Sequence, residues 1–565
     1  MLRAVLYLLS VVFSYTLQQS VSAQTIQKNS YFSYPLSIKP KLNANFGEMR
    51  PNHFHMGLDL YTEAKENLPV YAPADGYISR LKIEKGGFGR AIYINHPNGT
   101  TTVYAHMNKF LSGAESYLEK KQYEQETWKI DLPIPPGMIK VQKGQIIGYS
   151  GNTGASEGPH VHFEVRDSKS ENCLNPLLYG ISLNDHIAPD LYQLAFYDYE
   201  KSLYEQSPVL VGLVKKGSSY SPVKKIELPF EKVIVGIVAK DRSDGAANPN
   251  GIFQATLKKD GRRVAGFRLE NISYDFTRNL NGHIDFSLRS RGGPYVQLVY
   301  QPKFFPLNIY SSTINKPYLQ NETIFQGYEL EVTDAHFNVS SLSFDIRKNG
   351  LVSKQVVTGQ QMVIGKQQFY EEGGVQFNFP ADAFYDSFHM YVVASNPTNV
   401  NEISKAYQVV PSSVPVNNYF TLKIKPSLPL GNIDTGRVVV RRTYKSSVDI
   451  KKASYSKEGF TVSFRDFGEF QLLQDLEAPT IISSVSNGAS IKTGTQINFT
   501  VSDNLKSIRS FDARVDGKWI MFYPRGNQYV YKVDEHFPKG EHLLSVVVYD
   551  EAGNSSRISK QLIKN

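Results

Sequence analysis

Short apolar and β-branched runs, separated by Gly, Pro, Asn and Asp, dominate the hydrophobic pattern of this chain. Residues 76–83, Gly-Tyr-Ile-Ser-Arg-Leu-Lys-Ile, and residues 91–95, Ala-Ile-Tyr-Ile-Asn, are typical examples. Runs of this length, rich in β-branched and aromatic residues, predict strands. We therefore expect a mainly β protein.

Two local signals place a hairpin and a helix. Asn98-Gly99 lies between the apolar runs around Ile94 and Val103, and both residues tolerate the positive φ of a tight turn. Residues 112–115, Ser-Gly-Ala-Glu, have capping-box spacing and precede a Glu/Lys/Gln-rich stretch to about Glu126. The sequence therefore predicts one helix shortly after His106.

A weak internal repeat divides the rest of the chain. Residues 330–338 and 546–554 each read as an alternating strand running into Asp-x-x-x-Asn, and each is preceded by a strand that ends in aspartate, Asp241 or Asp503. The Ala-Pro pairs at 188–189 and 478–479 also match. We predict two immunoglobulin-like sandwiches, residues 187–345 and 476–565, in which the aspartate caps a turn and the asparagine is left-handed. Residues 346–475 form a β-rich region that the sequence does not classify.

The N-terminus has the pattern of an export signal. Arg3 is followed by an apolar stretch, residues 4–13, and by the small-residue site Val21-Ser22-Ala23. We expect residues 1–23 to be removed, leaving Gln24 first and no membrane span, since the apolar stretch is well short of roughly 20 residues. The single cysteine, Cys173, allows no intramolecular disulfide. An exported bacterial protein of the periplasm, cell envelope or extracellular space fits these features.

Charge adds little to this picture. The formal net charge is +9, but the basic residues are scattered and no nucleic-acid-binding motif is present. We expect no nucleic-acid partner. The acidic stretch 241–245 is more typical of an ordinary turn than of a calcium loop.

Histidine is concentrated near the N-terminus. Six of the twelve histidines fall before residue 186: His53, His55, His96, His106, His160 and His162. Histidine with carboxylate is the ligand set that catalytic zinc prefers, with three protein ligands and one open position. This part of the chain is therefore a candidate metal site.

Alternation in residues 160–165, His-Val-His-Phe-Glu-Val, places His160, His162 and Glu164 on one strand face. The two histidine backbones lie roughly 7 Å apart by strand rise, which suits one metal ligand and one neighbour acting on a bound water. Taken alone, the pair is more typical of surface or hydrogen-bonded histidines. We expect Glu164 to have a structural or supporting role.

A second histidine motif supplies a carboxylate. His55 and Asp59 would stand about 13 Å apart in a straight strand, so joint ligation of one ion requires a bend, for which Gly57 is the natural place. His53 also forms His-x-His with His55 but has no such aspartate partner.

The remaining two histidines are ambiguous by themselves. Tyr104 and His106 are predicted to share a strand face after the hairpin, where an isolated histidine would ordinarily be structural. His96, directly before the turn, is assigned a structural role.

In combination these motifs resemble the lysostaphin-like (LytM-type) zinc endopeptidases. The ordered set is His-x-Gly-x-Asp at 55–59, Tyr-Ala-His at 104–106 and Gly-Asn-Thr-Gly-x-Ser-x-Gly-Pro-His-x-His-Phe-Glu-Val-Arg at 151–166, and the resemblance covers about 45–180. It implies an antiparallel β peptidase domain within residues 24–186. It departs from the family at an insertion of about 111–140, whose helix we expect to wall the substrate groove.

The resemblance also implies residue roles. His55, Asp59 and His162 would bind one Zn²⁺ per chain, and His106 and His160 would contact the activated water and the developing oxyanion. Which of these two histidines moves the proton is left open.

The implied activity is hydrolysis of peptide bonds in peptidoglycan crosslinks or stem peptides, with the β regions serving as spacers or binding envelope proteins. A metal-free envelope scaffold and a secreted protease acting on Gly-rich proteins are the alternatives.

Overall fold

The structure, a computed structural model, describes residues 31–181, 183–246, 248–312, 316–351 and 356–565. The expected export signal and the residue Gln24 lie outside these ranges. Strands make up 47% and helices 7% of the residues, which confirms a mainly β protein. Within the described ranges, no helix has the length and apolar character needed to span a bilayer.

The N-terminal region, residues 31–186, is built on one large antiparallel sheet. Its helix α1 spans Ser112–Glu124, and a 3₁₀ turn spans Pro176–Tyr179. Strands β1 to β14 are, in chain order, Leu42–Ala44, Met49–Arg50, His53–Phe54, Leu58–Tyr61, Pro69–Tyr71, Gly76–Ile83, Arg90–Asn95, Thr100–Ala105, Lys109–Phe110, Ile130–Pro133, Lys140–Val141, Ile146–Tyr149, His160–Asp167 and Cys173–Leu174.

The strand order of the large sheet is β1-β4-β13-β8-β7-β6-β10, and β5-β12-β9 form a small second sheet. The register of the central strands determines which residues lie next to each other at the centre of the sheet. His162 on β13 lies opposite Asp59 on β4 and, on its other side, opposite Ala105 at the end of β8. Two of the three candidate metal ligands are therefore cross-strand neighbours.

The predicted hairpin and helix are both present. Strands β7 and β8 pair across the turn that contains Gly99, whose φ is +82°. Helix α1 begins where predicted, but the expected capping box is wrong, because Leu111 is the N-cap and has no side-chain cap. Glu115 instead accepts a hydrogen bond from the Phe110 amide and pairs with Arg90, so it ties the helix to the preceding strands.

The second region, residues 187–345, is also β-rich. It contains a 3₁₀ turn, Tyr274–Asn279, and the short helices α2, Leu280–His283, and α3, Phe286–Ser290. Strands β15 to β26 are Asp190–Asp198, Val209–Lys216, Ser219–Pro222, Ile226–Leu228, Lys232–Lys240, Gln254–Lys259, Arg262–Arg268, Asn271–Ile272, Gln297–Leu298, Leu319–Gln320, Gln326–Thr333 and Val339–Lys348.

Two of these strands depart from the domain boundaries expected from the sequence, one by pairing across a boundary and one by extending past it. Strand β22 pairs with β14 and so extends the N-terminal sheet from the second region. Strand β26 continues to Lys348, past the expected boundary at 345, because it pairs with β25 as far as Ile346 and with β18 from Ile346 to Lys348.

The third region, residues 346–475, contains the 3₁₀ turns Leu430–Asn432 and Thr435–Arg437. Its strands β27 to β37 are Gln360–Met362, Gln368–Glu372, Val375–Phe379, Phe388–Ser395, Ala406–Val410, Phe420–Ile424, Val438–Tyr444, Ser447–Lys452, Ser454–Ser456, Gly459–Phe464 and Glu469–Gln474. They form one sheet of six strands and one of five.

The fourth region, residues 476–565, has a four-stranded and a five-stranded sheet. Strands β38 to β46 are Thr480–Ser483, Ala489–Ile491, Gln496–Ser502, Ile508–Val515, Lys518–Trp519, Tyr523–Arg525, Gln528–Lys532, Gly540–Asp550 and Ser555–Lys564.

The internal repeat extends to matching hydrogen bonds. Asp334 Oδ1 accepts from the Asn338 amide and Asp550 Oδ1 from the Asn554 amide, each at 2.8 Å. The positive φ lies at Phe337 and Gly553, one residue before the position we expected. The asparagine side chains donate back to Oδ2 of their own aspartates, at 2.7 and 2.8 Å.

Buried apolar side chains form one continuous cluster from Phe32 in the N-terminal region to Leu472 in the third. The fourth region has a separate core. The first three regions therefore pack as one body, to which the fourth is attached through smaller contacts.

His283 marks the junction between the N-terminal and second regions. Its ring is fully buried between Phe54 and Phe267, with centroids 5.8 and 4.5 Å away. Its nitrogens contact the Tyr310 hydroxyl and Gln297 Oε1. Burial lowers the pKa of His283 to about 4. The folded protein therefore holds this histidine neutral.

Neutral His283 should make stability depend on pH. Because the pKa is lower in the folded than in the unfolded chain, its contribution is complete above pH 6.5 and is lost as the pH falls towards 4, by about 3 kcal/mol. Urea titrations at pH 7, 5.5 and 4 should show a steeper loss of unfolding free energy for the parent than for His283→Gln. Parallel pH profiles for the two proteins would contradict this assignment.

Candidate active site

Three side chains converge at the centre of the large sheet. His55 Nε2 lies 3.0 Å from Asp59 Oδ1 and 3.0 Å from His162 Nδ1, and His162 Nδ1 lies 2.9 Å from Asp59 Oδ1. All three residues are buried. The three atoms form a triangle whose edges are of nearly equal length.

The bend between His55 and Asp59 makes this convergence possible. Strand β3 ends at Phe54 and β4 begins at Leu58, so residues 55–57 leave the ladder. A Cβ on Gly57 would lie 2.4 Å from the Phe163 carbonyl oxygen and 3.0 Å from His162 Nε2. Glycine is required here because the backbone passes too close to β13 for any side chain.

Hydrogen bonds on the outer side of each ring fix the histidine tautomers. His55 Nδ1 lies 2.7 Å from the Asn45 carbonyl oxygen, and His162 Nε2 lies 3.0 Å from Glu164 Oε1. A carbonyl or carboxylate oxygen only accepts, so the facing ring nitrogen carries the hydrogen. The inner nitrogens, His55 Nε2 and His162 Nδ1, then present lone pairs.

Two lone pairs and a carboxylate oxygen in mutual contact repel one another unless a cation lies among them. Tetrahedral ligands about 2.0–2.1 Å from zinc stand ~3.3 Å apart, close to the observed edges. Although burial opposes it, His55, His160 and His162 hold the pKa of Asp59 well below its usual range, so the carboxylate is ionised. The donor set therefore fits a zinc ion.

The groups around His162 favour a positive charge on its ring. Although burial lowers it, hydrogen bonds to Asp59 and Glu164 raise the pKa of His162 to about 9. The surrounding carboxylates thus favour a positive charge at this position, which a proton or a metal ion can supply.

The second oxygen of Asp59 is held separately. Arg50 donates to Asp59 Oδ2 at 2.6 Å and lies 3.7 Å from Glu48. This contact directs Oδ1 towards the two histidines.

His106 and His160 lie beside the triangle, with ring centroids 4.7 Å apart. His106 Nδ1 lies 2.8 Å from the Thr153 carbonyl, and His160 Nδ1 lies 2.8 Å from the Gly158 carbonyl, so each Nδ1 carries the hydrogen. His160 Nε2 is buried without a hydrogen-bond partner in the described chain and lies 3.4 Å from Asp59 Oδ1. All five residues singled out from the sequence therefore meet in one place.

The expected strand position of His106 is wrong. Strand β8 ends at Ala105, and His106 has a left-handed backbone with φ +62°. This conformation is uncommon for a residue with a side chain and is found preferentially at functional positions. It turns the ring away from the Tyr104 face towards His160.

Comparison with known proteins agrees with this geometry. Residues 53–123 and 138–176 match Peptidase family M23. This chain carries a peptidase family M23 domain. The match is interrupted at 124–137, inside the insertion expected from the sequence. Residues 359–475, in the region that the sequence did not classify, match a Zu5-like domain.

Curated relatives match about a quarter of the chain. The DD-carboxypeptidase/endopeptidase Mpg of Neisseria meningitidis serogroup B is 33% identical over 148 residues, 25% of this chain and 28% of that protein. The peptidoglycan DD-endopeptidase ShyA of Vibrio cholerae is 28% identical, over 24% of this chain and 27% of that protein. The chain thus spans little more than a quarter of these relatives.

Among solved structures, the catalytic domain of lysostaphin from Staphylococcus simulans is 24% identical with a TM-score of 0.17. That alignment covers 24% of this chain and 90% of the lysostaphin domain.

A residue of the second region also forms a hydrogen bond at the M23 site, and the motifs did not predict it. The Tyr274 hydroxyl donates to Glu164 Oε1, the same oxygen that receives His162 Nε2–H. Glu164 is fully buried and its other oxygen accepts from Arg166, whose guanidinium lies 4.6 Å from the Tyr274 ring. Tyr274 lies 110 residues away in sequence, so local spacing gave no signal for it.

Two further contacts near the site were not predicted from the sequence. Phe88, in the Gly-rich segment 86–89, lies 5.5 Å from the His162 ring and 6.2 Å from Tyr274. The Asn45 side chain exchanges two hydrogen bonds with the Gly251 backbone, so the carbonyl that fixes His55 is anchored to the second region.

The other two histidines of the cluster lie outside the site. His53 is exposed and bonds to the Pro51 carbonyl. His96 contacts the Asp75 carbonyl and the Thr102 hydroxyl, which occupies both of its nitrogens.

Gly57→Ala should abolish the convergence of the three ligands. The new Cβ would force β4 away from β13, and we expect zinc affinity to fall at least ~10-fold, as measured by chelator competition. Gly113→Ala in α1 is the matched control, because its Cβ meets no atom within 4 Å. It should raise stability by ~0.5–1 kcal/mol without changing the affinity for zinc. Tight zinc binding by Gly57→Ala would refute the assignment.

Tyr274→Phe removes one hydroxyl and keeps the ring contacts with Phe88 and Arg166. Without that hydroxyl, Glu164 and hence His162 are less firmly oriented, and we expect zinc affinity to fall by ~10-fold. The free energy of unfolding, measured in parallel, separates this effect from general destabilisation. An unchanged zinc affinity would show that Tyr274 has no part in orienting His162.

Proposed function

We propose that the chain is an exported zinc-dependent endopeptidase that hydrolyses peptide bonds in peptidoglycan crosslinks or stem peptides. The observation that carries the proposal is the triangle of His55 Nε2, Asp59 Oδ1 and His162 Nδ1. The opposite nitrogens of the two rings donate to the Asn45 carbonyl and to Glu164. The curated names of the relatives, which include DD-endopeptidases, favour peptidoglycan as the substrate.

The three ligands would hold one ion. Zinc, when bound, supplies a Lewis acid that polarises the scissile carbonyl and lowers the pKa of a coordinated water towards roughly 7. The rings of His106 and His160 lie beside these three residues.

His106 and His160 are suited to proton transfer. Burial, and then the neighbouring His162 and His160 rings, lower the pKa of His106 to about 3, so it is neutral at ordinary pH. Each ring keeps its Nδ1–H on a backbone carbonyl and presents Nε2. One Nε2 can therefore accept the proton of the attacking water, and an imidazolium formed in this way can pass it to the leaving amine or stabilise the oxyanion.

Helix α1 is connected to His106 through an ion pair and two hydrogen bonds. Glu115 on the helix pairs with Arg90, and the Arg90 amide donates to the hydroxyl of Thr153, whose carbonyl holds His106. We propose that α1 forms one wall of the substrate groove, so that substrate choice depends on the insertion.

The activity is tested on purified sacculi, with released peptides separated by chromatography. The parent protein should carry about one zinc per chain and release peptide fragments that disappear on chelation. His160→Ala should retain zinc and lose at least ~10²-fold in rate, whereas Asp59→Ala should lose the zinc itself.

His53→Ala is the matched control, because this histidine also belongs to a His-x-His pair but faces solvent. It should retain full activity. A parent protein that purifies without zinc and leaves sacculi intact would overturn the proposal in favour of a scaffold. Cleavage of Gly-rich proteins but not of sacculi would overturn the substrate assignment.

A further inference from the structure

A second group of acidic side chains lies far from the M23 site, where the third region joins the fourth. One oxygen from each of Asp475, Asp503 and Asp550 lies within 4.8 Å of the other two. Asp475 follows the last strand of the third region, and the other two belong to the fourth. Asp475 is 2% exposed and Asp550 is fully buried.

Two oxygens of this group have no partner. Asp475 Oδ2 and Asp503 Oδ1 are buried and accept no hydrogen bond from any described residue. The other oxygen of each carboxylate already accepts a hydrogen bond: Asp475 Oδ1 accepts from the Asn504 side chain, and Asp503 Oδ2 accepts from the Leu505 amide. The structure describes no Lys, Arg or His side-chain nitrogen within 4.0 Å of any of the three carboxylates. Unpaired buried carboxylate oxygens are costly unless a cation or a proton neutralises them.

The second region contains the same framework. Asn338 donates to the Asp185 carbonyl at 3.1 Å, and Asn554 donates to the Asp475 carbonyl at 3.0 Å. Asp185, Asp241 and Asp334 therefore occupy the places of Asp475, Asp503 and Asp550.

The two groups differ in one neighbouring side chain. In the second region His336 lies 3.6 Å from Asp185. Ala552 stands where His336 would be, so the junction group has no imidazole at this position.

We propose that Asp475, Asp503 and Asp550 form a Ca²⁺ site that fixes the junction between the third and fourth regions. Three carboxylates with water are hard oxygen ligands, which suit calcium, whereas zinc prefers the nitrogen-containing set of the M23 site. Because the fourth region has its own core, an ion shared with Asp475 would restrict its movement relative to the rest of the chain.

The test uses the full chain, stripped of metals and reloaded with one equivalent of Zn²⁺. Isothermal titration with CaCl₂ to several millimolar should show saturable binding by the parent, since exported calcium modules bind with dissociation constants on the order of 10⁻⁴–10⁻³ M. Calcium should also raise the midpoint of thermal unfolding of the fourth region.

Asp503→Asn is the informative variant, because asparagine keeps an acceptor for the Leu505 amide and removes the charge. We expect it to lose one calcium equivalent or to bind at least ~10-fold more weakly, with unchanged zinc content and circular dichroism. Asp475→Asn should behave in the same way, which guards against a folding defect in one variant.

Asp244→Asn is the matched control. Asp244 lies in the acidic loop of the second region but pairs with exposed His186, outside the aspartate group, so its replacement should leave calcium binding unchanged. No calcium uptake by the parent, or equal uptake by the parent and Asp503→Asn, would overturn the proposal.

Discussion

The crowding of two imidazole lone pairs and one carboxylate oxygen into a buried triangle is the constraint on which the N-terminal region depends. No neutral arrangement of protons satisfies all three atoms while the outer nitrogens donate to Asn45 and Glu164. The surrounding structure holds them together nevertheless, through the register of β4 with β13 and the bend at Gly57. This arrangement is the one expected of a preorganised metal site, in which the fold holds like groups together before the ion binds.

That preorganisation does not come from the M23 domain alone. The carbonyl that fixes His55 is anchored through Asn45 to Gly251, and the carboxylate that fixes His162 is anchored through Glu164 to Tyr274. Strand β22 extends the large N-terminal sheet, and the buried cluster is continuous through the second region. The second region is therefore part of the support of the site rather than a spacer attached to it.

These observations set a limit on what the sequence could predict. Strand alternation, the Asn98-Gly99 hairpin and the grouping of His55, Asp59 and His162 were accessible, because each depends on local spacing or on a family motif. The left-handed backbone of His106 and the contribution of Tyr274 were not, since one follows from the end of a sheet ladder and the other from a contact across 110 residues. The Zu5-like region lacked any local motif, and the capping box failed because Glu115 serves Phe110 and Arg90 instead of the helix end.

The fourth region connects the two metal sites that we propose. The Tyr123 ring of α1 stacks on His536 at 3.7 Å and meets Trp519 at 5.4 Å, while Arg514 pairs with Glu126 just beyond the helix. The opposite face of α1 buries Ala114 and Leu118 in the M23 domain. The helix is thus held between the two regions, and its position depends on the fourth region as well as on the M23 domain. Because an ion at Asp475 would fix the fourth region, the groove that we propose beside α1 would be a property of the whole chain rather than of the M23 domain alone.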